Sequence, residues 1–315
     1  MTSQFMSWRP AATIENLQHR ARIYSAVRTF FADRDVLEVE TPLLSETTNP
    51  DPQVASMLAH NQGQTLYLQT SPEFAMKRLL AAGYGSIYQI CRAFREGEKG
   101  RRHHPEFTLL EWYRIGFDYQ ALMDEMEQLI DELSGRNNVY RRMSYRGLLI
   151  EYAGIDFLNI GLADLRAACS ELVSGTNARE LDFDQCLDLL ISLVISPQLE
   201  GYLFVYDYPI SQAALARASS DNPLLAERFE LFYNDLELAN GFSELTDAGL
   251  QRSRFEKDNR LRASKGLPEY PLDDALLAAL ESGMPDCAGV ALGLDRLLMV
   301  LLGLDAIDKT LSFTS

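Results

Sequence analysis

The stretch Phe107-Thr108-Leu109-Leu110-Glu111-Trp112-Tyr113 decides the fold. Strand side chains alternate, so Phe107, Leu109, Glu111 and Tyr113 share one face, and Thr108, Leu110 and Trp112 the other. Glu111 thus sits among two aromatics and a leucine. Either it lies on a half-solvated face, or it is desolvated and awaits a cation, because an unpaired buried carboxylate is costly.

Working outward, residues 86–94 read as a second strand, joined to 107–115 by a charged loop at 95–106. This is an antiparallel hairpin with a long functional tip. Upstream, Ser71-Pro72-Glu73 reads as a helix start, with Ser as N-cap, Pro at the first helical position and a carboxylate facing the dipole. That helix closes at Gly83. An alternating strand at 65–70 precedes it. Further upstream lie a helix at 14–31, capped by Thr13, and a strand at 36–42 that Pro42 ends. Downstream come an acidic helix at 118–135, strands at 229–233 and 236–241, a charged helix at 246–264, a strand at 290–292 and an apolar helix at 295–302. Residues 141–225 carry short helical patterns and read as a mostly helical insertion within a single domain over 1–315. Hairpin strands with helices around them predict an α+β fold, an antiparallel sheet flanked by helices.

Net charge is −16, from 29 basic and 45 acidic residues. Long nucleic acids are held by basic footprints, so this balance argues against them. The exception is local: Arg92, Arg95, Lys99, Arg101 and Arg102 fall within eleven residues, from the end of the first hairpin strand into its loop, followed by His103 and His104. A compact cationic loop suits a small polyanion. No apolar run approaches the ~18 residues of a membrane span. Met1 to Phe5 show no leader pattern, and Cys91, Cys169, Cys186 and Cys287 form no C-x-x-C pair, so a cytoplasmic protein with free thiols is expected.

Carboxylates recur at Glu230, Glu237 and Glu244 across the second strand pair. Ala239 and Gly241, placed on the face of Glu237, leave room for a ligand above the sheet. Oxygen ligands of this kind suit Mg²⁺, which takes one or two carboxylates together with phosphate oxygens. Arg95 at a strand end and Arg296 at a helix start supply the planar, permanently charged donors of a phosphate clamp.

Phe94-Arg95 with His103-His104-Pro105-Glu106 and the strand quoted above resembles motif 2 of the class II lysyl-tRNA synthetases. Val290-Ala291-Leu292-Gly293-Leu294-Asp295-Arg296 resembles their motif 3, and residues 36–44 resemble motif 1, the dimer-interface motif. Ser71-Pro72-Glu73 and the run from Glu237 to Glu244 also match, so the similarity spans essentially the whole chain.

The resemblance implies a homodimeric class II fold that uses ATP and Mg²⁺. Arg95 and Arg296 are its implied catalytic residues, at the α-phosphate and the γ-phosphate, with Phe107 stacking on adenine and Arg296 against its far face. His103, His104, Leu238 and Gly293 are implied beside ATP, and Glu230 and Glu237 on Mg²⁺. Glu73, Glu111, Tyr113 and Glu244 surround the amino groups of a lysine-like substrate, next to Ser71, Pro72 and Ala291. Motif 2 departs from F-R-N-E by reading Phe94-Arg95-Glu96-Gly97; Glu96 or Glu98 then replaces the usual acid, Glu98 if Gly97 turns the loop. Asp35 stands at a usual glycine position, which Asp tolerates in left-handed geometry. Ala291 adds a methyl where synthetases carry glycine, as expected for a β-amino acid.

Motif 1 lies too near Met1 for an anticodon-binding domain, and with the acidic charge this makes tRNA an unexpected acceptor. A truncated core of this kind resembles the ligases that pass (R)-β-lysine to a lysine ε-amine on elongation factor P. The alternatives are a tRNA-charging fragment acting on lysine and a non-catalytic amino-acid-sensing paralogue.

Overall fold

The computed structural model describes residues 8–314; Met1 to Ser7, part of which was read above for a leader, lie outside the described residues. Helix α1 (Ile14–Ala32) is capped as expected, the Thr13 hydroxyl accepting from the Asn16 amide. Asp35 turns the chain with φ 54° into β1 (Leu37–Glu38), much shorter than the expected strand. A small sheet follows, β2 (Leu44–Ser45), β3 (Leu58–Asn61) and β4 (Gln64–Leu68), in the order β2-β4-β3. Helix α2 (Glu73–Ala81) has Pro72 rather than Ser71 at its cap, with no side-chain cap bond. The first-turn Glu73 still faces the positive end of the helix.

The expected hairpin is β5 (Ile87–Phe94) and β6 (Glu106–Ile115), paired antiparallel. Helix α3 (Tyr119–Ser134) runs from an Asp118 cap to Gly135 in left-handed geometry. The region expected as a helical insertion divides differently. Its helices are α4 (Tyr145–Ala153), α5 (Leu162–Leu172) and α6 (Phe183–Leu190), with short 3-10 and π turns around them. They are flanked by two strands of the main sheet, β7 (Tyr140–Ser144) and β8 (Tyr202–Pro209). Strands β9 (Leu225–Tyr233) and β10 (Leu236–Ser243) form the second hairpin. Helix α7 (Ala248–Ser264) is followed by α8 (Asp274–Gly283), which the sequence reading does not include, then by β11 (Cys287–Gly293) and α9 (Leu294–Leu302).

The main sheet runs β1-β5-β6-β11-β10-β9-β8-β7, antiparallel except for the outermost pairs β1 with β5 and β7 with β8. One face is sealed by α1, α3 and α9, whose Phe30, Phe31, Met126, Ile130 and Leu297 pack on Leu110, Trp112, Leu231 and Val290. On the other face α2, α7 and α8 cover one part, through Met76, Phe255 and Leu277 packed near Tyr113 and Phe242. Helices α4 to α6 cover another, against Leu203, Val205 and Phe232. The stretch between them carries the alternate residues of β6, β11 and β10 and forms the floor of a cleft.

Candidate active site

Strand register puts the floor in rows. Asn240, Ala291, Glu111 and Gln89 are successive partners across β10, β11, β6 and β5, and Phe242, Gly289, Tyr113 and Ile87 form the next row. A bulge between Glu237 and Ala239 changes the phase of β10. It corrects the placement of Gly241 above, which belongs to the sealed face, where a Cβ would meet Phe229 and Val290 at 2.7 Å; Ala239 packs into the same core and also borders the cleft. The glycine that clears space for a ligand is Gly289, whose missing Cβ would stand 2.3 Å from the Tyr113 ring and 2.5 Å from Glu244 Oε1.

The cleft has a volume of about 330 Å³. Most residues expected at a site line it: Ser71, Glu73, Arg95, Glu98, His103, His104, Phe107, Glu111, Tyr113, Glu230, Glu237, Leu238, Glu244, Ala291, Gly293 and Arg296. Three do not. Pro72 faces an adjacent cavity, while Glu96 and Gly97 are exposed on the hairpin loop. Gly97 has φ +81°, the turn that lets Glu98 reach back to within 3.5 Å of Arg95.

At the deep end lies an acidic pocket. Glu111 is 2% exposed; its Oε1 accepts from the Tyr113 hydroxyl at 2.6 Å, and its Oε2 is buried without a partner. Glu244, equally buried, leaves Oε1 unpartnered. Burial pushes both carboxyls up to about 8, Glu73 adding to the rise in each. Burial likewise holds the Tyr113 hydroxyl well above its usual range, so it remains a donor. Lys77, which the sequence reading missed, bridges Glu73 and Glu244 at 2.6 Å each. Burial alone would lower a lysine, but Glu244 and Glu73 more than reverse this and hold it charged. Two carboxylate oxygens buried without donors make a receptor for ammonium groups.

At the mouth lies the cationic part. Arg95 directly follows β5, its guanidinium 5.0 Å from the centre of the Phe107 ring and its Nε unpartnered. Arg296 stands in the first turn of α9, where Nη1 donates to the Glu237 carbonyl at 2.8 Å and approaches its carboxylate at 3.8 Å. Its neighbour Asp295 locks this turn in place, accepting from Arg20 of α1 at 2.5 Å and from the Thr108 amide at 2.6 Å. Arg20 escaped the sequence reading because its partners lie far along the chain. His104 Nε2 is buried and unpartnered at the cleft wall, while its Nδ1 engages the Glu106 carbonyl at 2.6 Å. Burial and then Arg296 keep His103 below its usual range, hence neutral near pH 7.

The two expected Mg²⁺ carboxylates differ in setting. Glu230 is clamped between Arg228 at 2.5 Å and the Tyr208 hydroxyl at 2.7 Å, and burial lifts it to about 7. Glu237 has a 44% exposed side chain whose only ion pair among the described residues is the long contact to Arg296. The loop from Asn49 to Val54 adds an unforeseen wall, tied to the motif 2 loop where the Glu96 amide donates to Ala55.

An arginine just past the end of a hairpin strand, a second in the first turn of the last sheet-linked helix, and buried carboxylates deeper in the same cleft, all on one largely antiparallel sheet, define a class II synthetase catalytic core. Across residues 1–315 the chain matches the family of class II tRNA synthetases (D, K and N). Elongation factor P–(R)-β-lysine ligases of Edwardsiella ictaluri, Salmonella arizonae and Salmonella typhi are each 46% identical to it over 321 residues, covering 99% of this chain and 98% of the relative. The chain belongs to this synthetase family, in the group of elongation factor P–(R)-β-lysine ligases.

Proposed function

We infer that the protein is an ATP-dependent ligase that adenylates (R)-β-lysine and transfers it to the ε-amine of a lysine on elongation factor P. One observation carries the substrate class: Glu111 Oε2 and Glu244 Oε1 are buried without donors, in the cleft whose mouth holds Arg95, Phe107 and Arg296. The substrate's ammonium groups satisfy these oxygens, and its carboxylate then points toward the α-phosphate beside Arg95. A carboxylate is already nucleophilic, so no general base is needed for activation. Its oxygen attacks the α-phosphorus, pyrophosphate leaves, and Arg95 and Arg296 offset the developing charge. In the second step the acceptor amine attacks the acyl carbon, AMP leaves, and one amine proton passes to solvent. Phe107 offers a stacking face to adenine.

Mg²⁺ bound with ATP supplies charge neutralisation on the phosphate oxygens. Glu237 fits it as an accessible carboxylate, and Glu230 joins only by yielding a bond to Arg228 or Tyr208. Ala291, level with Glu111 on the sheet, crowds the pocket with the methyl that favours a β-amino acid. A net charge of −16 supports a protein acceptor over tRNA, and four buried free thiols support a cytoplasmic setting. Among the described residues no helix is long and apolar enough to cross a membrane. Incubation with ATP, (R)-β-lysine and either elongation factor P or tRNA tests the acceptor. Acyl transfer to the protein is expected, and charging of tRNA alone overturns the assignment.

A further inference from the structure

We propose that Lys77 is a positioning residue, an internal cation that aims Glu73 and Glu244 and matches the pocket's net charge to a substrate with two ammonium groups. The proposal rests on the reading that the substrate is a lysine-like diamino acid. Lys77 is i+4 from Glu73 on α2, a spacing that on a surface gives a weak pair. Here the lysine is 2% exposed, with Nζ 2.6 Å from Glu73 Oε1, 2.6 Å from Glu244 Oε2 and 5.3 Å from the centre of the Phe242 ring. A buried ion pair is a poor device for stability alone, since apolar residues of similar volume usually serve as well. Its placement beside two unpartnered carboxylate oxygens points to function.

The charge count is simple. Glu73, Glu111 and Glu244 carry −3 when ionised and Lys77 carries +1, leaving −2. A lysine-like acid brings two ammonium groups, while its carboxylate is consumed in the anhydride with AMP. Without Lys77 the pocket would hold −3 against +2, and one carboxylate would retain its proton instead of receiving the substrate. Among the described residues no other charged group acts on Lys77. Tyr113 donates to Glu111 as a neutral hydroxyl, and burial raises the Cys287 thiol, keeping it neutral. Lys77 also fixes direction: by holding Glu244 through Oε2 it leaves Oε1 for the ligand.

The test is ATP–pyrophosphate exchange with diamino acid titrated over pH in three variants. Lys77→Gln keeps hydrogen-bond donors without the charge, Lys77→Met removes both, and Lys77→Ala leaves space for an added amine. Folding is checked by circular dichroism, and the KM for ATP serves as an internal control. In Lys77→Gln and Lys77→Met the KM for the diamino acid should rise about tenfold or more at pH 7 and recover toward high pH, with the KM for ATP nearly unchanged. Propylammonium should restore the KM of Lys77→Ala, whereas tetramethylammonium, which has no N–H, should not. A folded Lys77→Gln with the wild-type KM and pH profile overturns the proposal, as does a folded Lys77→Ala that propylammonium leaves unimproved. The wild-type assay separates the two ideas. No exchange with α- or β-lysine defeats the functional reading, whereas normal exchange by wild type and Lys77→Gln alike defeats this one.

Discussion

Glu111 and Glu244 titrate near 4.5 in an ordinary setting and near 8 in the folded pocket, where burial favours the protonated form. Between those values the native state holds more protons than the unfolded chain, so these two groups make ligand-free stability fall as pH rises. A diamino acid reverses that loss by pairing with the carboxylates. Thermal denaturation should therefore show a stabilisation by β-lysine that grows from pH 5 to pH 8; an increment independent of pH would contradict the ammonium pocket. At the mouth, Arg95→Ala should lower adenylate formation roughly 10²–10³-fold with folding intact, as expected when one donor to a developing oxyanion is lost. Much of this residue-scale chemistry is legible in sequence. The alternation of β6 alone places Phe107, Glu111 and Tyr113 on the site face. Lys77 and Arg20 are not legible, because a lysine or arginine on a helix reads as solvated until residues such as Glu244 and Asp295 come from distant parts of the chain.

Strands and helices set where the pocket can exist. Gly289 and Gly241 lie on neighbouring strands with opposite consequences. Gly289→Ala drives a methyl into Tyr113 and Glu244, and should abolish amino-acid activation while ATP still binds. Gly241→Ala drives one into Phe229 and Val290 on the sealed face, and should cost about 1–3 kcal/mol of stability with substrate preference unchanged. Chemical denaturation and exchange kinetics on both variants check the pair. The bulge at Glu237 is the reason Gly241 is misplaced by simple alternation: one extra residue moves every later side chain to the other face. Similarly, β8 reads Tyr-Leu-Phe-Val-Tyr and is buried on both faces, so no alternation distinguishes it from the helices before it. Thr13 and Gly135, by contrast, mark their helix ends with local signals that tertiary packing leaves intact.

At the scale of the molecule, the sheet edge at β1 and the nearby segment expose Leu37, Leu43 and Leu44, apolar groups that a second subunit would cover. A dimer through this motif 1 region is expected by analytical ultracentrifugation at micromolar concentration, and Leu44→Glu should shift it toward monomer. The cationic mouth stands out within a chain of net charge −16, which focuses a small polyanion such as ATP on the cleft. Acyl-adenylate formation from a lysine-like acid with two ammonium groups is the step on which the pocket chemistry and the later transfer both depend. ATP–pyrophosphate exchange tests it most directly, with (R)-β-lysine, α-lysine and norleucine supplied in turn. Exchange is expected with the diamino acids, fastest with (R)-β-lysine, and none with norleucine; exchange with norleucine, or with none of the three, would rule out a diamino-acid adenylate.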